Sequence, residues 1–314
     1  MVISIFLRAV ANILEINTVS KRYGSKIAVD AVSLAIPRGS IFGLLGPNGA
    51  GKTSLIRMIT TITRPDEGSI LLDGEPLHAD HPRTIGYLPE ERGLYKKMKV
   101  GEHLIYLGQL KGLKKKKAKE AAENWLERLE LSDRWGQAVE TLSKGLQQQV
   151  QFIATVIHDP QLLILDEPFS GLDPVNTNRL KAEIRQLHEA GTSIIFSTHR
   201  MEQVEEVCEY ITLMNAGRNV LEGRVSDIRE QYKQNHFRVL YAGELPPDFT
   251  TEFNIVAQQE QGVTIAPSEG LTGNQLLQGL LNRGISIRAF NEVLPSLNEI
   301  FIKLVGAAEK VPTT

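Results

Sequence analysis

The stretch Gly46-Pro47-Asn48-Gly49-Ala50-Gly51-Lys52-Thr53 has the make-up of a phosphate cradle. Its glycines let consecutive backbone N–H groups turn inward around anionic oxygens, and the N-terminus of a following helix adds a partial positive charge. Lys52 is spaced to reach β- and γ-phosphates, and the Thr53 hydroxyl to hold Mg²⁺. Ser54, next in line, counts among the nucleotide contacts. Two further places carry the groups that such a cradle needs for hydrolysis. Asp166 follows the apolar run Leu162-Leu163-Ile164-Leu165 and is placed to hold Mg²⁺, directly or through water, opposite Thr53. Glu167, one residue later, can polarise a water for in-line attack on a γ-phosphate. His199 ends a third apolar run after Phe196-Ser197-Thr198 and is expected beside the γ-phosphate.

These groups need elements that bring them together. Ile41-Phe42-Gly43-Leu44-Leu45 reads as a buried strand before the cradle, and Ser54-Leu55-Ile56-Arg57-Met58-Ile59 as the start of a helix after it. Residues 162–165 and 193–197 read as two more buried strands. Buried strands alternating with helices imply a parallel α/β sheet, whose ligands bind at the carboxyl ends of the strands. Residues 13–16 and 29–36 read as strands of a small β layer, with Lys21-Arg22-Tyr23-Gly24 between them. Residues 70–72 and 85–88 add short strands. Between Val100 and Leu131 the apolar spacing turns helical, as an insertion. The lysine run 114–117 is read as a solvated helix start. A glutamine-rich helix follows Leu142-Ser143-Lys144-Gly145 and runs through His158. Around Val225 the character shifts to a small α+β domain, with strands at 237–241, 253–257, 263–266 and 285–290 and helices at 273–282 and 295–305. The expected divisions are an N-terminal extension (1–12), the nucleotide-binding domain (13–224, helical part about 95–160), an accessory domain (225–306) and a mobile tail (307–314).

Composition sets the class. A hydrophobic content of 42% with 23% charged residues is that of an ordinary globular chain. A formal net charge of −2 gives no bulk attraction for nucleic acid, and no nucleic-acid partner is expected. The single cysteine, Cys208, excludes an intrachain disulfide and, lying in an apolar helical pattern, is read as core. No stretch approaches the roughly 20 apolar residues that span a bilayer. Residues 1–7 are apolar but short, with Arg8 behind them rather than before, so they read as a loose or strand-like extension and not a secretory signal.

The order of motifs carries a resemblance. The cradle, helical insertion, Leu142-Ser143-Lys144-Gly145, Asp166-Glu167, Ser170-Gly171-Leu172-Asp173 and His199 together resemble the ATP-binding subunit of an ABC transporter, over about residues 14–223. That resemblance implies a P-loop ABC cassette fold, ATP and Mg²⁺ as ligands, and ATP hydrolysis coupled to transport. It implies that Gly46 to Ser54 hold the phosphates and that Tyr23 stacks on adenine. Ser143 and Gly145 of one subunit are then expected to close over ATP held by another, in a head-to-tail pair of cassettes. Asp173 matches the turn residue that links the two sites. A serine hydroxyl at a helix N-terminus is a reasonable anion contact.

Two positions depart from the family pattern. Lys144-Gly145-Leu146 stands where Gly-Gly-Gln is usual, leaving Ser143 and Gly145 and adding a charge. Glu90 stands where glutamine is usual. Either side chain offers an oxygen to Mg²⁺ or water, and Glu90 adds a charge that could alter metal affinity and coupling. Residues 86–95 and the C-terminal extension are similar to the ATPase subunits of bacterial ABC-2-type exporters, including sodium-extrusion-like and drug-export-like systems. The resemblance implies a separate integral membrane permease as partner, a second cassette (identical or different), and a peripheral place at the cytoplasmic face of a bacterial cell membrane. Residues 90–95 and the helical insertion would receive the permease. Import by a similar complex is a close alternative. A soluble ABC-type ATPase acting on ribosomes or DNA is the alternative of another class, disfavoured by a single uninterrupted cassette.

Overall fold

In the computed structural model, which describes residues 11–91, 93–243, 249, 253–259, 262–268 and 270–308, the chain begins with a long hairpin. β1 (Asn12–Tyr23) pairs antiparallel with β2 (Lys26–Pro37), Tyr23 facing Lys26 across a Gly24-Ser25 turn. Lys21, Arg22 and Tyr23, expected between two short strands, instead extend the first one. The two strands outrun their apolar runs because backbone pairing continues to the turn whatever the side chains. Asn12, assigned to the N-terminal extension, is strand, and residues 1–10 of that extension lie outside the described residues.

β3 (Ile41–Leu45) is buried at every position and leads through the cradle into α1 (Lys52–Ile59), which buries Leu55, Ile56, Met58 and Ile59. β4 (Glu67–Leu72) and the short β5 (Glu75–Pro76) complete an antiparallel sheet in the order β2-β1-β4-β5. β6 (Ile85–Leu88) follows.

The insertion is helical as its spacing requires. α2 (Val100–Leu110) buries Val100 and Leu104. α3 (Lys115–Arg128) buries Ala118, Ala122, Trp125 and Leu126, one stripe at helical period, while Lys114 to Lys117 are exposed. α4 (Lys144–Val156) ends two residues before the expected His158, and packs Phe152 edge-on to Trp125 with centroids 5.9 Å apart.

β7 (Leu162–Asp166), α5 (Pro174–Glu189), β8 (Ser193–Thr198), α6 (Met201–Val207), β9 (Tyr210–Asn215) and β10 (Arg218–Arg224) close this part. The core sheet runs β10-β9-β3-β8-β7-β6, with β9, β3, β8, β7 and β6 mutually parallel. β7 and β8 are buried along their whole length, which is why their sequences are continuous apolar runs. Cys208 is buried but stands at the C-terminal end of α6, not inside a helix.

The chain divides into two compact units after Gly223. The second holds α7 (Val225–Gln231), β11 (His236–Ala242), β12 (Asn254–Gln259), β13 (Gly262–Ala266), α8 (Gly273–Asn282), β14 (Ser286–Val293) and α9 (Leu297–Ala308). Its antiparallel sheet, β12-β13-β11-β14, buries Val239, Tyr241, Val263 and Ile265 with Leu276 and Leu280 of α8. A reciprocal cap starts α8: Thr272 Oγ1 accepts the Gln275 N–H, and Gln275 Oε1 accepts the Thr272 N–H. α9 carries Ala307 and Ala308, so helix continues past the point where a tail was expected, and residues 309–314 lie outside the described residues.

Candidate functional site

The cradle is wedged between β2 and the end of β9, and two glycines make that possible. Gly46 has φ 146°, and a Cβ there would lie 2.2 Å from the Met214 carbonyl oxygen. Gly51 has φ 105°, and its Cβ would lie 2.3 Å from the Ala28 carbonyl oxygen. Both side chain and backbone conformation therefore demand glycine. The Gly217 N–H donates to Ala50 O at 3.0 Å, and Leu55 N–H to Gly51 O at 2.9 Å, so loop and helix start are fixed together. Lys52 opens α1 with only 9% of its surface exposed. Its ammonium donates to the carbonyls of Gly46 at 2.6 Å and Pro47 at 3.1 Å. Burial pulls the Lys52 pKa down, and the carboxylates of Asp166, Glu167 and Glu90 oppose that pull.

Asp166 is the last residue of β7 and is 3% exposed. It accepts the Ser197 hydroxyl from the neighbouring strand at 2.7 Å. Burial raises its pKa, against the Ser197 bond, and Glu90 and Glu167 push the same way as burial. Glu167 leaves the strand with φ 51°, an αL conformation uncommon for a residue with a side chain. That turn is anchored by its own N–H on Ser197 O at 2.9 Å. The carboxylate is held on both oxygens: Oε2 accepts the Thr198 hydroxyl at 3.1 Å, and Oε1 accepts the His199 backbone N–H at 2.9 Å and lies 2.6 Å from His199 Nδ1. His199 Nδ1 thus faces the carboxylate, and its Nε2 is turned away from it.

One cleft of about 210 Å³ brings these groups together. Its floor is Asn48 to Ser54, its far wall Asp166, Glu167, His199 and Glu90, and its rim Tyr23 with Lys26 and Ala28 of the hairpin. Gly46 and Pro47 lie behind the floor and hold Lys52. Tyr23 is 44% exposed at the rim, with the Lys21 ammonium 5.8 Å from its ring centroid. Glu90 is also exposed and borders a second, adjoining hollow with Tyr87, Pro89 and Glu91.

Three residues read from the sequence are not in the cleft. Ser143 caps α4, its hydroxyl accepting the Leu146 N–H at 3.3 Å. Gly145 lies against the turn before α5, where an added Cβ would meet Gly171 O at 3.3 Å. Asp173 caps α5, accepting the Asn176 N–H at 3.0 Å; that bond holds its pKa below the usual carboxylate value. All three are exposed or half-buried on the same chain surface. Glutamines of α4 tie this surface to the turn after β7 and to the start of α5. Gln148 Nε2 donates to Pro168 O at 3.1 Å, and Gln149 Nε2 to Asn176 Oδ1 at 2.6 Å.

Sequence reasoning missed Ser197 and Thr198, which orient the two acidic side chains, and Lys26 and Ala28 at the rim. Hydroxyls at the end of an apolar strand were a readable signal. The rim residues were not, because only the β1–β2 pairing brings β2 over the loop.

A family signature described as "ABC transporter" matches residues 29–170, and one described as "ATP-binding protein DrrA1-3-like, C-terminal domain" matches residues 223–305. The chain is similar to the uncharacterized ABC transporter ATP-binding protein YhaQ of Bacillus subtilis, 43% identical over 94% of this chain and 99% of that protein. It is 32% identical to the Nod factor export ATP-binding protein I of Sinorhizobium fredii, over 95% of this chain and 87% of that one. The daunorubicin resistance ATP-binding protein DrrA3 of Streptomyces coeruleorubidus is 30% identical, over 93% of this chain and 95% of that one. A solved ATP-binding subunit of an ABC transporter superimposes with a TM-score of 0.66 at 30% identity, over 70% of this chain and 93% of that one.

Proposed function

The chain belongs to the ABC transporter family of ATP-binding proteins and is an ATPase, and from that premise we propose that it drives export through a separate membrane-spanning permease by closing two cassettes around ATP. One observation carries the pairing. Ser143, Gly145 and Asp173 lie outside the cleft formed by Lys52, Asp166, Glu167 and His199, on helix starts of the same unit. A second cassette, facing the first head to tail, supplies its Ser143 hydroxyl and the N–H groups of its α4 start to the γ-phosphate.

Within one cassette the roles divide by position. The cleft's volume is below the roughly 300 Å³ of a typical small-molecule pocket, so it takes the phosphates, and the base lies outside against the exposed Tyr23. Lys52 exchanges its loop carbonyls for phosphate oxygens. The residues fit a hard divalent cation. Thr53, Asp166 and Glu90 offer only oxygens to the cleft, and burial among like charges leaves Asp166 in need of a counter-charge. When bound, Mg²⁺ supplies charge neutralisation on the phosphate oxygens. Glu167, held on two sides, orients and polarises the attacking water, and His199 holds that carboxylate while its Nε2 faces the γ-phosphate.

Export, rather than import, rests on the relatives named for Nod factor export and daunorubicin resistance, with a DrrA-like C-terminal domain at the same end of the chain. The same relatives disfavour action on ribosomes or DNA. Among the described residues no helix is long and apolar enough to cross a membrane; the proposal places the permease on a separate chain, with this subunit docked on its cytoplasmic side. The deciding experiment is affinity purification of the Glu167→Gln chain from membranes with ATP. Recovery of a polytopic membrane protein supports the proposal. Recovery of ribosomes instead, with ribosome-stimulated hydrolysis, refutes it.

A further inference from the structure

On the far side of β4 from the nucleotide cleft, the chain passes from β5 into a single 3-10 turn at His81–Arg83 before entering β6. Three side chains in this short passage converge. One ligating atom each from Glu75, His78 and His81 lies within 4.8 Å of the other two. Glu75 and His78 are exposed, and His81 is the more enclosed of the three. None of the three lines the nucleotide cleft.

The two histidine rings lie against one another. Their centroids are 3.8 Å apart with planes inclined by 31°, a spacing at which two imidazolium ions would repel. The Nδ1 of His81 accepts the His78 backbone N–H at 3.0 Å, and the Nδ1 of His78 accepts the Asp80 backbone N–H at 3.3 Å. A nitrogen that accepts carries no proton, so each ring keeps its lone pair on the loop side and its N–H at Nε2. Two imidazoles thus converge in one loop beside a carboxylate, one nitrogen of each within 4.8 Å of a Glu75 oxygen.

We infer that Glu75, His78 and His81 form a binding site for one divalent transition-metal ion of the zinc, copper or nickel class. Two imidazole nitrogens and one carboxylate oxygen are the donor set that borderline ions favour over Mg²⁺ or Ca²⁺, which take oxygen alone. Ligation closes the three atoms from separations of at most 4.8 Å to the roughly 3.3 Å ligand spacing of a tetrahedral ion with metal–nitrogen bonds near 2.0 Å. The two amides released pass to solvent, and water completes the coordination. The ion then clamps β5 of the antiparallel sheet to the turn that feeds β6, the strand leading to Glu90. Nothing in this site depends on the transport reading of the cleft.

The test uses the full chain without a histidine tag, freed of metal and nucleotide. Zn²⁺ is titrated calorimetrically, and Co²⁺ is added separately to read visible absorption. The expected result is one tight equivalent of Zn²⁺, a tetrahedral Co²⁺ spectrum and a raised unfolding midpoint. His78→Ala, His81→Ala and Glu75→Gln should each weaken Zn²⁺ at least tenfold. His199→Ala, which alters the cleft instead, should leave that equivalent in place. Parental ATPase activity of the three loop variants, in excess Mg²⁺ with a Zn²⁺-selective chelator, confirms that they fold. Unchanged Zn²⁺ affinity in the loop variants, loss of the equivalent in His199→Ala, or no binding below millimolar Zn²⁺ would each overturn the assignment.

Discussion

Oε1 of Glu167 lies 2.6 Å from Nδ1 of His199 and 2.9 Å from the backbone N–H of the same residue. Two adjacent parallel strands, β7 and β8, end level with one another and so bring together residues 32 positions apart. The carboxylate that is to polarise water is therefore not free to swing. Its orientation is inherited from the register of the sheet.

If that carboxylate is the base, Glu167→Gln removes proton acceptance while keeping the shape and the hydrogen bond from His199. ATP binding should persist, and steady-state phosphate release should fall by about 10²–10⁴-fold. Equilibrium nucleotide binding and turnover, measured on the same preparation, check this. Turnover at the parental rate would remove Glu167 from the mechanism.

His199→Ala deletes the side-chain half of the clamp and leaves the backbone half. We expect kcat to fall about 10–100-fold, equivalent to roughly 1.4–2.7 kcal/mol of transition-state stabilisation, with little change in KM. A rise in KM at constant kcat would instead assign His199 to binding alone.

Gly46→Ala tests the wedge. The new Cβ meets the Met214 carbonyl at 2.2 Å, so the loop or β9 must move. Both ATP affinity and the unfolding temperature should drop, the latter by an amount reflecting about 1–3 kcal/mol. A variant with parental values of both would show that the loop has slack.

Ser143→Arg places a bulky charge on the exposed start of α4, outside the chain's own cleft. Combined with Glu167→Gln, it should leave ATP binding intact and abolish the ATP-dependent dimer seen by light scattering. A dimer that survives would argue against the head-to-tail arrangement.

His103 offers a pH signature away from the site. It is fully buried on α2, packs against Tyr95 with ring centroids 5.8 Å apart, and neither ring nitrogen has a hydrogen-bond partner. Burial pushes its pKa down to about 4. The unfolded chain takes up a proton near pH 6.5, and the folded chain only near pH 4. Between those values the unfolded state binds more protons, so stability rises with pH through that window and is lost on acidification. The loss at pH 4 approaches about 3 kcal/mol. Denaturant midpoints at pH 4.5 and 7 should differ less in His103→Phe than in the parent. Equal differences would mean that other groups set the acid transition.

What the sequence by itself determined was the machinery and its scaffold. The cradle, the Asp166-Glu167 strand end, His199 and the buried core strands were legible because each follows from local rules: glycine tolerance, apolar runs buried on both faces, helical period. The second unit's strands and its helix at 273–282 were legible too, to within three residues at each end. Tertiary structure alone decided the rest. Only the parallel register of β7 and β8 sets Ser197 on Asp166 and Thr198 on Glu167, and only the hairpin places Lys26 and Ala28 over the loop. The pairing of His78 with His81 likewise depends on a turn with no apolar pattern to read. Ser143 and Gly145, though within the same chain as the cleft, are carried away from it by α4. Local sequence encodes which groups are present and which segments are buried. Strand order and register, which are non-local, determine which of those groups meet.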